Sequence, residues 1–142
     1  MRSNKILIVL VLPLFAFKCI TKKMRENFIE VNNQLPASVY CVPSFDYPDT
    51  GLLFTSKEKI LANDSIYYVG SSNSKRLFYI DLCKIETWRR LVKSDTIQVF
   101  VFDEKVLKER PWNEIVAGKL YLRRLTYTYK DVVDKGCKIT IQ

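Results

Sequence analysis

Two pairs of neighbouring carboxylates are the residues best suited to chemistry in this chain: Asp46 with Asp49, and Asp103 with Glu104. Paired carboxylates can divide the work of acid and nucleophile on a glycosidic bond. Each pair also has a simpler reading. Asp46 and Asp49 lie among the turn residues of Pro43–Gly51, and Asp103 stands where a helix N-cap is expected, so structural roles are expected ahead of acid–base catalysis. The YPDTG segment offers too few oxygens for calcium. Histidine is missing from all 142 residues, which removes Ser-His-Asp and Cys-His relays, a histidine base and any imidazole-dependent metal site. There is no Gly-rich phosphate loop, and no cofactor is expected.

The four cysteines divide by position. Arg2 and Lys5 precede an apolar run, Ile6–Phe17, which is followed by Lys18, Cys19 and polar chain, the three-part layout of a secretory signal. The run is twelve residues long, whereas a membrane-spanning helix needs ~20, and Pro13 interrupts it. Residues 1–18 therefore read as a signal peptide. Cys19 resembles the acylated first residue of a bacterial lipoprotein, carrying acyl chains such as palmitate, and residues 19–27 read as lipid anchor and basic tether. Losing Arg2, Lys5 and Lys18 and no acid leaves 20 basic against 15 acidic residues, +5 in place of +8. Lys22, Lys23 and Arg25 adjoin the anchor, where each adds ~1 kcal/mol of attraction to an anionic membrane surface. Cys41, Cys83 and Cys137 show no CxxC spacing, so a metal or thioredoxin-like site is not expected. Export permits one disulfide among them, with three possible pairings, but all three are expected as small apolar core residues.

Lys84, Arg89, Arg90 and Lys93 fall opposite an apolar stripe, Leu82, Ile85, Trp88, Leu91 and Val92, at helical spacing. Such a face is usually only solvated; a functional reading is contact with lipid phosphates or anionic glycans. Nucleic acid is not an expected partner, because export removes it. Tyr67 and Tyr68 are expected on opposite faces of one strand, where one of them could stack on sugar. Asp64-Ser65-Ile66 and Asp95-Thr96-Ile97 resemble the Asp-Ser/Thr-apolar acceptor of bacterial O-glycans.

These residues must be held by short elements. Residues 28–142 read as one globular domain. Phe28–Val31 and Ala37–Val42 flank a turn and predict a hairpin. Leu52–Ser56 suggests a short edge strand, and Ser65–Val69 and Arg76–Ile80 predict strands about the Gly70–Ser74 turn. A helix over Leu82–Lys93 is expected with Asp81 as N-cap, then a buried strand at Thr96–Phe102. Short helices follow at Glu104–Glu109 and from Pro111 to Gly118, a strand at Leu120–Tyr127, a helix boxed by Thr128 and Asp131 and stopped at Gly136, and a last strand, Cys137–Ile141. The fold class expected is α+β, mainly β: a small antiparallel sandwich or half-barrel with three short helices in its C-terminal half.

The stretch from Asp95 to Ile141, with its Phe102-Asp103 strand end, Pro111-Trp112 pair and Leu122-Arg123-Arg124 strand, resembles the C-terminal block of a group of small lipoproteins from Gram-negative gut bacteria. Tyr47–Gly51, after Asn32-Asn33, resembles the group's N-terminal half; Cys137 departs from it, the group tending to carry tryptophan there. The resemblance implies a lipid-anchored protein of the cell envelope, in the outer membrane and facing periplasm or surface, and it lends no catalytic residue. The function expected is a non-enzymatic binding or structural domain with an envelope protein or glycan as partner. The alternative is a carboxylate-dependent enzyme on envelope glycans.

Overall fold

The structure, a computed structural model, describes residues 28–49, 52, 55–77 and 81–142. The signal peptide, Cys19 and the tether lie outside the described residues. Along the chain come β1 (Ile29–Asn33), β2 (Val39–Ser44), α1 (Lys57–Leu61), α2 (Asp64–Tyr67), β3 (Tyr68–Val69), β4 (Asn73–Leu77) and α3 (Ile85–Leu91). They are followed by β5 (Thr96–Asp103), α4 (Glu104–Glu109), α5 (Trp112–Ala117), β6 (Arg123–Thr128), α6 (Tyr129–Asp134) and β7 (Lys138–Ile141). The strands make two sheets, β4-β1-β7 and β3-β2-β5-β6. The fold is α+β and mainly β, and among the described residues neither sheet closes into a barrel.

Strand β5 explains the layering. Its six central residues are all buried, and they alternate: Ile97, Val99 and Val101 join one core, while Phe100 and Phe102 join another. A strand with water on one side would bury only every second residue. The first core fills the space between the sheets, with Ile29 and Val31 of β1 and Ile139 and Ile141 of β7 meeting Val39, Cys41 and the odd-numbered β5 residues. Trp88 of α3 and Val132 of α6 close its side. The second core lies on the other face of the four-stranded sheet, where Ile60 of α1, Leu107 of α4 and Ile115 of α5 cover Tyr40, Val42, Phe100 and Phe102.

Local capping agrees with the sequence in the second half. Asp103 accepts the Val106 N–H at 3.0 Å and so starts α4 as the strand ends. Thr128 and Asp131 form a reciprocal capping box, and Gly136 leaves α6 at a φ of +63°, a conformation that costs glycine nothing.

Several expectations are corrected. Among the described residues four helices, not three, lie in the C-terminal half, and α1 and α2 precede them. The sandwich is not wholly antiparallel, because β1 runs parallel to β7. The hairpin does not form: β1 pairs with β4 and β7, and β2 with β3 and β5. The reason is Asn33, wholly buried, whose amide donates to the carbonyls of Ala37 (2.9 Å) and Gly70 (3.1 Å) and so turns the chain from one sheet to the other. Residues 64–67 are helical despite their β-prone side chains, since Asn63 O accepts the Ile66 and Tyr67 N–H groups and the Tyr40 hydroxyl donates to Asp64 at 2.8 Å. Tertiary contacts outweigh a weak local propensity. Helix α3 begins three residues later than expected, with Lys84 at its N-cap, and Asp81 instead pairs with Lys84 at 2.6 Å. The strand expected from Leu120 starts at Arg123. The edge strand at Leu52–Ser56 does not appear at its described residues, while residues 53–54 and 78–80 lie outside them.

The cysteines are the clearest correction. Cys83 and Cys137 form a disulfide, their Cα atoms 6.1 Å apart, while Cys41 is a buried free thiol. The bridge ties the turn before α3 to the residue that follows α6, so it closes a loop of 54 residues. Replacing both Cys83 and Cys137 by alanine, or adding a reductant, is expected to lower unfolding stability by about 2–5 kcal/mol, read from urea midpoints with and without dithiothreitol.

Burial pushes the Cys41 thiol up to about 12 from its ordinary 9.0, against a smaller opposing effect of Lys75. Burial, and next the Asp64 hydrogen bond, raise the Tyr40 phenol as well. Both groups are held neutral in the folded state, so their contribution is complete below their ordinary values and is lost as pH rises through the folded ones. Urea midpoints should hold level up to about pH 9 and fall above it. Cys41→Val should flatten the first part of that fall.

Candidate functional site

Three of the four candidate carboxylates, Asp49, Asp103 and Glu104, are engaged in local bonds. Asp49 accepts the Ser44 hydroxyl on Oδ2 at 3.0 Å and the Leu52 N–H on Oδ1 at 2.9 Å. Its own carbonyl accepts the amide of Gln98 at 3.2 Å. Gln98 is wholly buried on the second-core face of β5, and its other amide atom takes the Arg124 Nε–H at 2.8 Å. Arg124 in turn lies over the Phe100 ring. Asp49 therefore fastens the loop after β2 to a polar patch that the sheet has to satisfy. Asp46 is exposed in that loop beside Tyr47, which is 44% exposed. The second pair is also divided: Asp103 caps α4, and Glu104 pairs with Lys108 at 2.6 Å.

Nor do the expected tyrosines oppose one another. Tyr67 ends α2 and Tyr68 begins β3, both half-buried against the second core, with the Tyr68 hydroxyl donating to Ser38 at 3.0 Å. Among the described tyrosines the exposed one is Tyr47. Of the two acceptor tripeptides, Ser65 is exposed on α2, and Thr96 is half-buried at the start of β5. Among the described residues no group of His, Cys, Asp and Glu could hold a metal ion.

The basic helix leads to a better-defined place. Beside α3 and the start of α6 lies a groove of ≈ 490 Å³, framed by Trp88, Arg89, Lys93, Asp95, Tyr129 and Lys130. Its floor is rigid. Trp88, wholly buried, donates its indole N–H to Asp95 Oδ1 at 3.1 Å, and Tyr129 packs edge-on against it with ring centroids 5.4 Å apart. The Tyr129 hydroxyl donates to the carbonyl of Cys83 at 3.2 Å, beside the disulfide. Asp95 holds its place at a φ of +57°, which aspartate tolerates better than most residues.

The walls of the groove are cationic. Arg89 lies in the last turn of α3 and Lys93 in the turn two residues past its end, and both are exposed. Among the described residues neither has an acidic partner, nor has Arg90. Lys130, across the groove, is paired with Asp134 on its own helix, and that bond holds its ammonium above the usual lysine range. The groove is open, and its accessible aromatic side chain is the half-buried Tyr129 packed on the buried Trp88. Its rim carries the cations together with Asp95, an arrangement that suits a small anionic group.

Helical spacing in the sequence therefore placed Arg89 and Lys93, but it did not place Tyr129, Lys130 or Asp95 beside them. The Trp88–Tyr129 contact, the Tyr129 and Trp88 hydrogen bonds to Cys83 and Asp95, and the bridge from Cys83 to Cys137 bring those segments together, and none leaves a local signal. If Asp49 is structural and Asp46 is not, Asp49→Ala should cost about 1–3 kcal/mol by orphaning the Ser44 and Leu52 partners, while Asp46→Ala should stay within about 0.5 kcal/mol, both read from urea midpoints. No protein-family model, curated protein or solved structure matches the chain.

Proposed function

We propose that this protein is a lipid-anchored, non-enzymatic binding domain of the cell envelope. It is held to the membrane through acyl chains on Cys19 and meets its partner at the cationic groove. The observation that carries the reading is the groove's rim, where among the described residues Arg89 and Lys93 stand without acidic partners beside Tyr129. The N-terminal order of basic residues, apolar run and cysteine supports the attachment. The likeness of Asp95–Ile141 to small lipoproteins of Gram-negative gut bacteria supports it too. Engagement of both Asp49 oxygens in local hydrogen bonds favours binding over carboxylate catalysis. The Cys83–Cys137 bridge fits an oxidising compartment.

The attachment is tested by the intact mass of the protein taken in detergent from its native envelope. The expected mass is that of residues 19–142 with acyl groups, less two hydrogens for the bridge. An unmodified full-length mass would refute acylation at Cys19, and Cys19→Ala should abolish any acyl increment.

A further inference from the structure

If the domain is tethered at its N-terminus, one side of it must lie against the bilayer, and the fold indicates which. The first described strand, β1, begins next to the end of α6: the Glu30 N–H donates to the carbonyl of Cys137 at 2.9 Å. Cys137 is bonded to Cys83, two residues ahead of Ile85, which opens α3 and lines the groove. The chain thus enters the domain at the disulfide end of the groove. Its sequence just upstream, Lys22, Lys23 and Arg25, is basic as well.

Cations elsewhere in the fold are in part occupied: Lys84, Lys108 and Arg110 each have a carboxylate within 4 Å, and Lys75 spends its ammonium on the carbonyls of Asp64 and Tyr68. At the groove Lys130 shares its ammonium with Asp134. Among the described residues Arg89 and Arg90, in the last turn of α3, and Lys93, two residues past its end, have no acidic partner. Each cation brought near an anionic leaflet gains ~1 kcal/mol, and the gain falls away within a Debye length. Such a cluster is effective only close to the surface, and β1 enters the domain on the same side as the cluster.

We infer that α3 and the groove beside it form the membrane-apposed face of the domain, with Arg89, Lys93 and Lys130 receiving the phosphate of an anionic phospholipid headgroup. The inference rests on the proposed membrane attachment and adds the orientation and the ligand class. Arg89 supplies a planar donor fork for phosphate oxygens, and the two lysines supply point charges on either side. The aromatic floor sits beneath, where the glycerol end of a headgroup can pack.

The test is a lysine footprint on the full chain, purified with detergent from its native envelope and reconstituted on vesicles. The vesicles contain phosphatidylcholine alone or phosphatidylcholine with phosphatidylglycerol. After brief acetylation in a phosphate-free buffer, peptide mass spectrometry reads each lysine. Expected is a fall of about threefold or more in labelling of Lys93 and Lys130 on the anionic vesicles. Lys105 and Lys119, on the helical layer beyond the other sheet face, should be unchanged. Arg89→Glu should remove the protection of Lys93 and Lys130 without moving the controls. Equal labelling on both vesicles, with the protein bound to both, would overturn the inference and leave the attachment standing. Failure to bind either vesicle would overturn both. If inorganic phosphate protects the same lysines on phosphatidylcholine vesicles, the groove is a small-anion site and the assignment to a lipid headgroup is wrong.

Discussion

Burial of β5 on both faces is the constraint from which the rest of the architecture follows. A strand whose two faces are apolar cannot rest at the surface of a single sandwich; each face needs its own cover. Ile97, Val99 and Val101 are covered by the three-stranded sheet with α3 and α6, and Phe100 and Phe102 by α1, α4 and α5. Each of these side chains gains about 1.5–3 kcal/mol on burial, so exposing either face of the strand would cost several such terms together. The strand's two ends carry aspartates that act locally. Asp103 starts α4, and Asp95 takes the indole N–H of Trp88. One strand therefore sets both the helical layer and the floor of the groove.

Polar groups placed inside this apolar frame make it specific. Gln98 breaks the run of the second-core face, and a buried amide without partners would cost more than a hydrogen bond returns. Its two ends are satisfied from different directions, by Arg124 of β6 and by the Asp49 carbonyl of the loop after β2. Asn33 acts in the same way between the sheets, tying β1 to the turn before β2 and to the end of β3. No buried side-chain nitrogen or oxygen among the described residues lacks a partner. The loops are thus fixed by the demands of two buried amides, not by packing alone.

What could be read from the sequence was whatever depends on neighbours along the chain. The continuous apolar run of β5, the Asp103 cap, the Thr128–Asp131 box and the stop at Gly136 are local, and each stands where its residues indicate. The predicted hairpin failed because alternation says that two segments are strands and not which strands they join. Residues 64–67 failed because Ile66 and Tyr67 are β-prone by type, while the bonds that make them helical come from Asn63, Tyr40 and Lys75. The bridge was not legible because pairing depends on distance in space, and Cys83 and Cys137 stand 54 positions apart. Half of the candidate site was visible for the opposite reason: Arg89 and Lys93 are four residues apart in the sequence, and Lys130 reaches them only through the fold.

The charge arrangement carries the functional argument further than any single residue. Arg89 and Arg90 occupy the last turn of α3, where cations meet the negative end of the helix dipole favourably, and Lys93 lies two residues past the helix end. α3 is short, with seven residues, and among the described residues no side chain caps it at its start. Its buried side carries Trp88, and the turn before it is held by a disulfide. The helix is therefore secured by its buried indole and by the covalent bridge, which leaves its outer face free to carry charge that the folded domain does not itself neutralise. Such a face is open to water, to counterions and to the anionic headgroup proposed above.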